Sequence, residues 1–85
     1  MERIETAAIQ YLELVFTMPR PNRHHNILHK MTDLGMTKAA HEFQGFFTSF
    51  GRYVDRVEGL KIAIEANQIK TKNGNPEVLY SEDIW

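Results

Sequence analysis

No cysteine occurs in this 85-residue chain, so it can have no disulfide framework, thiolate zinc site or cysteine nucleophile. A chain of this length buries only about 60–65% of its unfolded surface on folding, which leaves little margin for a stable core. It contains five Phe, three Tyr and one Trp. We therefore expect a single domain over residues 1–85 whose aromatic side chains help to form a core shared between subunits of a homo-oligomer.

The charge balance argues against nucleic acid as a partner. Ten Lys and Arg against eleven Asp and Glu give a net charge of −1, too little positive charge for useful counterion release from DNA. No apolar run approaches the roughly 18 residues of a membrane span, and the N-terminus has no signal-peptide pattern. We expect no DNA partner, no membrane association and a cytoplasmic location, which the lack of cysteine also suits.

Residues 5–17 alternate imperfectly, with apolar side chains on both sides of the run. This pattern, rich in β-branched and aromatic residues, predicts a strand buried on both faces. A helix stays open as an alternative, because Leu12 and Phe16 are four residues apart. We favour the strand, which ends before Pro19.

A first helix is predicted over residues 23–34, with Asn22 as its N-cap and Gly35 as its stop. The apolar residues that follow the spacing of one helical face are Ile27, Leu28, Met31 and Leu34. A polar connection is expected over residues 36–44, with a short helical turn around Lys38–His41.

The next part of the chain predicts a β-hairpin followed by a second helix. Residues 44–48 and 52–54 favour strands joined by a short turn. Asp55 and Glu58 form a variant of the capping box, and Asn67 is expected to end the helix in the left-handed conformation. The side chains expected on its buried face are Val57, Leu60, Ala63 and Ile64.

A final hairpin is predicted from Gln68–Lys70 and Glu77–Tyr80, around a turn at Lys72–Pro76. Trp85 is too apolar to be left in water. Together these elements predict an α+β fold, in which a small antiparallel sheet packs with two α-helices and the chain assembles as an oligomer.

Basic side chains cluster at the predicted start of the first helix: Arg20, Arg23, His24, His25 and His29. The spacing of the last two suits a divalent metal, but spacing does not fix a third ligand such as His41 or Glu42. A core or solvated role for the histidines is a second interpretation. A third is an anion or nucleotide site, because the free N–H groups and positive dipole of a helix N-terminus suit phosphate.

Arg52 and Arg56 bracket the predicted start of the second helix. Each guanidinium can make a bidentate contact to phosphate. Asp55 and Glu58 lie in the same turn and can neutralise the arginines instead, so an ordinary cap with surface ion pairs stays open. A second helix start that carries arginine strengthens the case for phosphate.

Five aromatic residues fall within eleven positions: Phe43, Phe46, Phe47, Phe50 and Tyr53. The core of a hairpin accounts for most of them. Phe50 lies in the predicted turn beside Gly51, so it is a candidate for stacking on a nucleobase or packing against another subunit.

The sequence predicts no catalytic apparatus. Ser49 lacks the surroundings of a nucleophile elbow, and no glycine-rich phosphate loop occurs. His24, His25 and His29 are capable of acid–base chemistry, but nothing activates a nucleophile beside them. The acidic segment Ser81–Asp83 is typical of a solvated end. We expect a binding protein with no catalytic residue, no metal and no cofactor.

Three segments match a pattern found in small phage proteins: Arg23–Ile27, Gln44–Thr48 and Gly51–Arg56. Ala66–Ile69 and Leu79–Asp83 continue that pattern in the same order. Its most specific part is Arg-aromatic-Val-Asp-Arg followed by a helix. On these motifs, over most of residues 20–85, the chain resembles the phage anti-Thoeris sponges, specifically the first-described family of them.

The resemblance implies a non-catalytic protein that binds a cyclic ADP-ribose signal, of the glycocyclic ADP-ribose class, and holds it intact. The Thoeris effector in the host bacterial cytoplasm is then deprived of its activator. It also implies assembly through dimers, often into hexamers, with the signal bound where subunits meet. Some similar proteins bind cyclic oligonucleotides at separate sites between subunits, so cyclic di- or trinucleotides are further candidate ligands.

By position in the motif, Arg52 and Arg56 are the expected phosphate-contacting arginines, and Arg23 is expected to join them. The other expected ligand-binding residues are His24, His25, Phe46 and Phe47. The chain departs from the pattern at Gly59, inside the second helix, and at Phe50. Two other functions stay open: a small His-dependent phosphoesterase that acts on cyclic nucleotides, and an adaptor that binds a host protein.

Overall fold

The computed structural model of the chain describes residues 1–11, 14–35 and 44–85. Its elements in chain order are β1 (Ile4–Tyr11), β2 (Leu14–Thr17), α1 (His24–Asp33), β3 (Gln44–Thr48), β4 (Tyr53–Asp55), α2 (Arg56–Glu65) and a short 3₁₀ helix (Ser81–Asp83). The strands of this part form one antiparallel sheet in the order β2-β1-β3-β4, against which α1 and α2 pack. The predicted α+β class, with a small antiparallel sheet and two helices, is confirmed.

The single strand predicted over residues 5–17 is wrong, because the chain reverses and β1 pairs with β2 in an antiparallel hairpin. Ile9 of β1 lies opposite Phe16 of β2. The inner strand β1 is fully buried over residues 7–9. The predicted burial on both faces therefore holds for β1 but not for β2. β2 lies at the edge of the sheet, where Leu14 is 59% exposed.

The predicted first helix is confirmed as α1, one residue shorter at each end. Gly35 follows it with a φ of +86°, the left-handed conformation expected of a glycine stop. The predicted cap is wrong by one residue. Arg23 rather than Asn22 is the N-cap, and its backbone N–H donates to the side-chain oxygen of Asn26 over 2.8 Å. That bond satisfies a backbone donor at the helix start.

The hairpin of β3 and β4 is also as predicted, and it leads directly into α2. Asp55 caps this helix, its carboxylate accepting from the backbone N–H of Glu58 over 2.8 Å. Asn67 follows the helix with a φ of +56°, as expected. The sequence therefore predicted both ends of α2 correctly.

The buried face of α2 was predicted correctly at Ala63 and in part at Leu60, which packs against the core, but wrongly at Val57 and Ile64. Val57 is 48% exposed and Ile64 is 60% exposed, whereas the buried residues are Gly59, Ile62 and Ala63. A Cβ at Gly59 would lie 3.1 Å from the Phe46 ring, so the absent side chain lets the helix approach the sheet closely. With Gly59 against the sheet, Val57 and Ile64 lie on the outer side of the helix. On α1, Leu34 is likewise 60% exposed instead of buried.

The predicted final hairpin is absent from the described residues. Gln68–Lys70 and Glu77–Tyr80 form no strands; the chain runs through turns into the 3₁₀ helix. Backbone bonds to the rest of the domain replace a ladder, such as the one from Leu79 N–H to the Arg56 carbonyl over 3.0 Å. Trp85 is half-buried, as expected, and its indole N–H donates to the backbone oxygen of Asn22 over 3.0 Å.

The core lies between the helices and one face of the sheet. Its members are Ile4, Ala7, Ile9, Ile27, Met31, Phe46, Val54, Ile62, Ala63, Leu79 and Ile84. The connection predicted over residues 36–44, with its turn at Lys38–His41, lies outside the described residues except for residue 44. Neither helix of the described part has the length and apolar character that crossing a lipid bilayer requires.

Candidate ligand-binding cavity

A cavity of about 310 Å³ lies where the starts of α1 and α2 meet the C-terminal 3₁₀ helix. Its lining residues are His24, His25, Leu28, Gln44, Arg56, Tyr80, Ser81 and Glu82. It thus combines a guanidinium, a carboxylate, two imidazoles and two hydroxyl groups. Such a lining suits a polar ligand that carries both an anionic group and hydrogen-bond donors.

The register of the sheet places two of these side chains together. Gly45 of β3 pairs with Asp55 of β4, so Gln44 and Arg56, one residue beyond that pair, are neighbours at the same end of the hairpin. Because Arg56 is also the first residue of α2, its side chain lies at the positive end of the helix dipole. The β-hairpin and the helix start therefore build the cationic wall of the cavity.

Arg56 is held in place by two contacts and keeps one donor unused. Its terminal nitrogen donates to the side-chain oxygen of Gln44 over 2.6 Å, and its guanidinium carbon lies 5.0 Å from the centre of the Tyr80 ring. Its Nε is buried without a hydrogen-bond partner in the described part of the chain. Arg56 also forms no ion pair with the residues described there. The guanidinium therefore lies in the cavity wall with no carboxylate of the described residues to neutralise it.

His24 forms the floor of the cavity and is 5% exposed. Its Nε2 lies 2.7 Å from the Gly45 carbonyl oxygen, which can only accept, so this nitrogen carries the proton. Its Nδ1 then accepts from the hydroxyl of Ser81, 3.2 Å away. Burial lowers the pKa of His24 to about 4, because the charged imidazole is poorly solvated there. At neutral pH the ring is therefore uncharged, and both of its nitrogens are engaged.

Asp83 fixes the segment that carries Tyr80, Ser81 and Glu82. Its fully buried carboxylate accepts from the backbone N–H groups of Tyr80 and Asn73 and pairs with Lys72 Nζ at 2.9 Å. Burial alone would raise the pKa of Asp83, but the hydrogen bonds from Tyr80, Lys72 and Asn73 together hold it below its usual range. The charged carboxylate thus keeps this side of the cavity in one geometry.

Glu82 adds a negative charge to the lining of the cavity that also contains Arg56. It is exposed, and its carboxylate lies 3.5 Å from the Ser81 hydroxyl. This group would repel a bare phosphate but accepts hydrogen bonds from ribose hydroxyls or ring N–H groups. The cavity therefore favours a ligand in which an anionic group and donor groups are separated.

Arg52, one of the predicted phosphate-contacting residues, lies outside the cavity. It forms a two-pronged pair with Glu2, with both N–O distances at 2.8 Å, and Glu58 lies 3.9 Å away. Hydrogen bonds from Arg52 and Thr48 lower the pKa of Glu2 to about 2. Arg52 is thus neutralised within the chain, as one alternative expected, but mainly by Glu2 rather than by Asp55 or Glu58.

Arg23 is also engaged within the chain. Its Nε and a terminal nitrogen both donate to the main-chain oxygen of Trp85, at 2.8 and 2.5 Å. Arg20 lies over the Trp85 ring at 5.9 Å and 3.7 Å from a carboxylate oxygen of Glu5. Within a single chain, the arginines of the two predicted segments do not converge on one ligand, because Arg56 lines the cavity without Arg23 or Arg52.

The predicted aromatic contacts are divided between the two faces of the sheet. Phe46 is fully buried in the core, where its ring meets His24 edge to face at 5.0 Å, so it supports the cavity from below. Phe47 is half-buried and lies opposite Tyr53 in the sheet. Phe50 is 67% exposed in the turn between β3 and β4. Phe43 lies outside the described residues.

The cavity unites three predicted residues, His24, His25 and Arg56, with polar residues that sequence reasoning did not select. The residues missed are Gln44, Tyr80, Ser81 and Glu82. Ser81 and Glu82 belong to the acidic segment that was interpreted as a solvated end, and Tyr80 was predicted as part of a strand. Two sequence features could have indicated these residues. Leu79–Asp83 is part of the family pattern, and it places the aromatic ring of Tyr80 beside the hydrogen-bond acceptors of Ser81 and Glu82.

The described residues hold no group of three or more His, Asp or Glu side chains that could bind a metal ion. His25 and His29 are both exposed on α1. His41 and Glu42, the candidate third ligands, lie outside the described residues.

Comparison with known proteins gives one match. A family model described as phage T4 y16D protein matches residues 3–85, which is nearly the whole chain. No curated protein and no solved structure matches the chain.

Proposed function

The chain belongs to the phage T4 y16D protein family, a family of phage proteins, and we propose that it is a non-catalytic sponge for a nucleotide signal. Its ligand in this proposal is a cyclic ADP-ribose of the glycocyclic ADP-ribose class. By holding the signal intact in the host bacterial cytoplasm, the protein blocks Thoeris immunity. The proposal joins the sequence resemblance to the chemistry of the cavity.

The observation that carries the proposal is the state of Arg56. A guanidinium that lines the cavity, is held by Gln44 and Tyr80 and forms no ion pair within the described residues is prepared for an anion before the ligand arrives. Preorganisation of this kind reduces the entropy lost on binding. A phosphate oxygen in the cavity would accept hydrogen bonds from this guanidinium, and charge-assisted bonds of this type are among the strongest in proteins.

The rest of the lining supports a nucleotide over a simple phosphate. Glu82 and Ser81 provide oxygen acceptors for ribose hydroxyls or base N–H groups, while Tyr80 provides an aromatic surface. The volume of about 310 Å³ is at the lower end of the range for small-molecule pockets, roughly 300–1,000 Å³. A compact cyclic nucleotide would thus project partly from the cavity. In a dimer or hexamer, another subunit would cover the projecting part.

Binding without turnover agrees with the state of His24. With a pKa of about 4 and its Nε2–H bound to Gly45, the imidazole is a weak base at neutral pH and is not available to donate a proton. The other contact of the Ser81 hydroxyl in the described part of the chain is with the Glu82 carboxylate, 3.5 Å away, at the outer limit of a hydrogen bond.

Isothermal titration of the purified protein with glycocyclic ADP-ribose tests this proposal. We expect saturable, tight binding. Denaturing the complex by heat should then release the ligand chemically unchanged, as judged by chromatography and mass spectrometry. Absence of binding, or release of a degraded product, contradicts the sponge.

The Ser81–His24–Gly45 chain of hydrogen bonds favours one second candidate, the small phosphoesterase. Here His24 Nδ1 would remove the Ser81 proton while the Gly45 carbonyl orients the ring. The low pKa of the imidazole weighs against this role. Product formation beyond one equivalent per subunit, lost in Ser81→Ala, would support the enzyme and refute the sponge.

A further inference from the structure

β2 forms an outer edge of the sheet. Across residues 1–11, 14–35 and 44–85, the strand that pairs with it is β1. Alternate backbone N–H and C=O groups of Leu14–Thr17 therefore point away from the sheet, and no other described strand receives them. Leu14 is 59% exposed and Val15 is 39% exposed on the same edge.

β2 is a short strand of four residues, but three other features that usually protect an edge strand are missing from it. Its sequence, Leu-Val-Phe-Thr, contains no charge and no proline, and its pairing with β1 shows no register shift. The opposite edge differs, because β4 has only three residues, ends on the charged Asp55 and continues directly into α2. The β4 edge is thus protected against pairing with another strand, whereas the β2 edge is accessible to one.

We propose that β2 pairs antiparallel with β2 of a second copy of this chain, so that the two sheets become one across a two-fold axis. The open main-chain groups specify an extended strand as the occupant. When β2 pairs antiparallel with β2 of a second copy, the same backbone N–H and C=O groups form hydrogen bonds in both subunits, as a two-fold interface requires. Because the four residues are uncharged, the two copies meet without repulsion between like charges.

The apolar core continues toward this edge. Phe16 lies opposite the core residue Ile9 and packs against the core, so its side chain is on the helix-bearing face of the sheet. Leu14, two residues earlier, is on the same face but is mostly exposed. A two-fold axis perpendicular to the sheet puts the helices of both copies on that face, with α1 packed on β1 in each. Leu14 and Phe16 of both copies would then meet between the two α1 helices.

This interface is one for the proposed homo-oligomer, but it requires no nucleotide and is tested without one. Sedimentation of the full chain over a range of concentrations should show a dimer. Amide hydrogen exchange should show protection at residues 14–17 that increases with protein concentration. A monomer at every concentration, or protection of these amides that is independent of concentration, overturns the proposal.

Variants separate this edge from the other exposed apolar surface. Val15→Lys places a charge on the edge and should weaken the dimer at least tenfold. Ile64→Lys, at a residue that is 60% exposed on α2, is the matched control and should leave the dimer unchanged. The reverse result would overturn the proposed edge. Because hydrogen exchange uses the unaltered chain, it tests the proposal even where a variant fails to fold.

Discussion

The guanidinium of Arg56 lies over the ring of Tyr80, with its central carbon 5.0 Å from the ring centre. The ammonium of Lys72 lies 4.9 Å from the same ring. Lys72 is paired with the buried Asp83, whereas Arg56 forms no such pair within the described residues. Tyr80 therefore lies against two cations, of which Lys72 is anchored by an ion pair and Arg56, within the described residues, is not.

Replacing Tyr80 tests whether the ring prepares Arg56. Tyr80→Leu removes the cation–π contact, worth about 1 kcal/mol, and should raise the Kd for glycocyclic ADP-ribose roughly fivefold. Tyr80→Phe keeps the ring and should bind as the unaltered protein does. Isothermal titration measures both. Equal affinity for the Leu variant would show that the ring has no part in binding.

The buried His24 predicts a pH-dependent stability. An unfolded His titrates near pH 6.5, whereas burial lowers the pKa of His24 to about 4 in the folded chain. Between these values the unfolded chain binds more protons. The stabilisation is therefore complete above pH 6.5 and is lost as the pH falls toward 4, by an amount on the order of 3 kcal/mol.

Urea denaturation at intervals between pH 4 and 7 measures this slope. In His24→Gln the amide can still donate to the Gly45 carbonyl, and the contribution of His24 to the slope should vanish. His29→Gln changes an exposed imidazole on the same helix and should leave the slope in place. An unchanged slope in the His24 variant would contradict the buried neutral imidazole.

The contact between Gly59 and Phe46 predicts an unusual effect of alanine in a helix. Gly59→Ala improves helix propensity by about 1 kcal/mol, but the new methyl group would lie 3.1 Å from a fully buried ring. Overpacking of this kind costs roughly 1–3 kcal/mol, so we expect a net loss of about 1 kcal/mol in the free energy of unfolding. The loss should shrink in a Phe46→Leu background. A more stable Gly59→Ala protein would contradict the packing.

Local signals predicted much of the fold, because caps and turns depend on a few neighbouring residues. Asp55, Asn67 and Gly35 each act where the sequence placed them. Periodicity could not predict that Val57 and Ile64 face away from the core, because the approach of Gly59 to Phe46 is a tertiary contact. Reversal of the chain between β1 and β2 was missed because both strands are apolar.

The candidate site was less predictable than the fold. Counting arginines at helix starts gave equal weight to Arg52 and Arg56. In the described structure they differ, because Arg52 is bound by the carboxylate of Glu2, fifty positions away in the sequence, and Arg56 is not. His24 belonged to a cluster of similar residues, and its burial under the 3₁₀ helix depends on Ser81, far along the chain. Partners so far apart in sequence are brought together only by the fold.

The most direct test of the central claim compares the two arginines of the motif. Arg56→Gln and Arg52→Gln are titrated with glycocyclic ADP-ribose, after circular dichroism has established that both variants are folded. Loss of a charge-assisted contact predicts a roughly 10- to 100-fold weaker Kd for Arg56→Gln. Arg52→Gln, whose arginine is bound to Glu2, should bind as the unaltered protein does. Unchanged affinity in Arg56→Gln, or a loss confined to Arg52→Gln, would contradict the cavity as the ligand site.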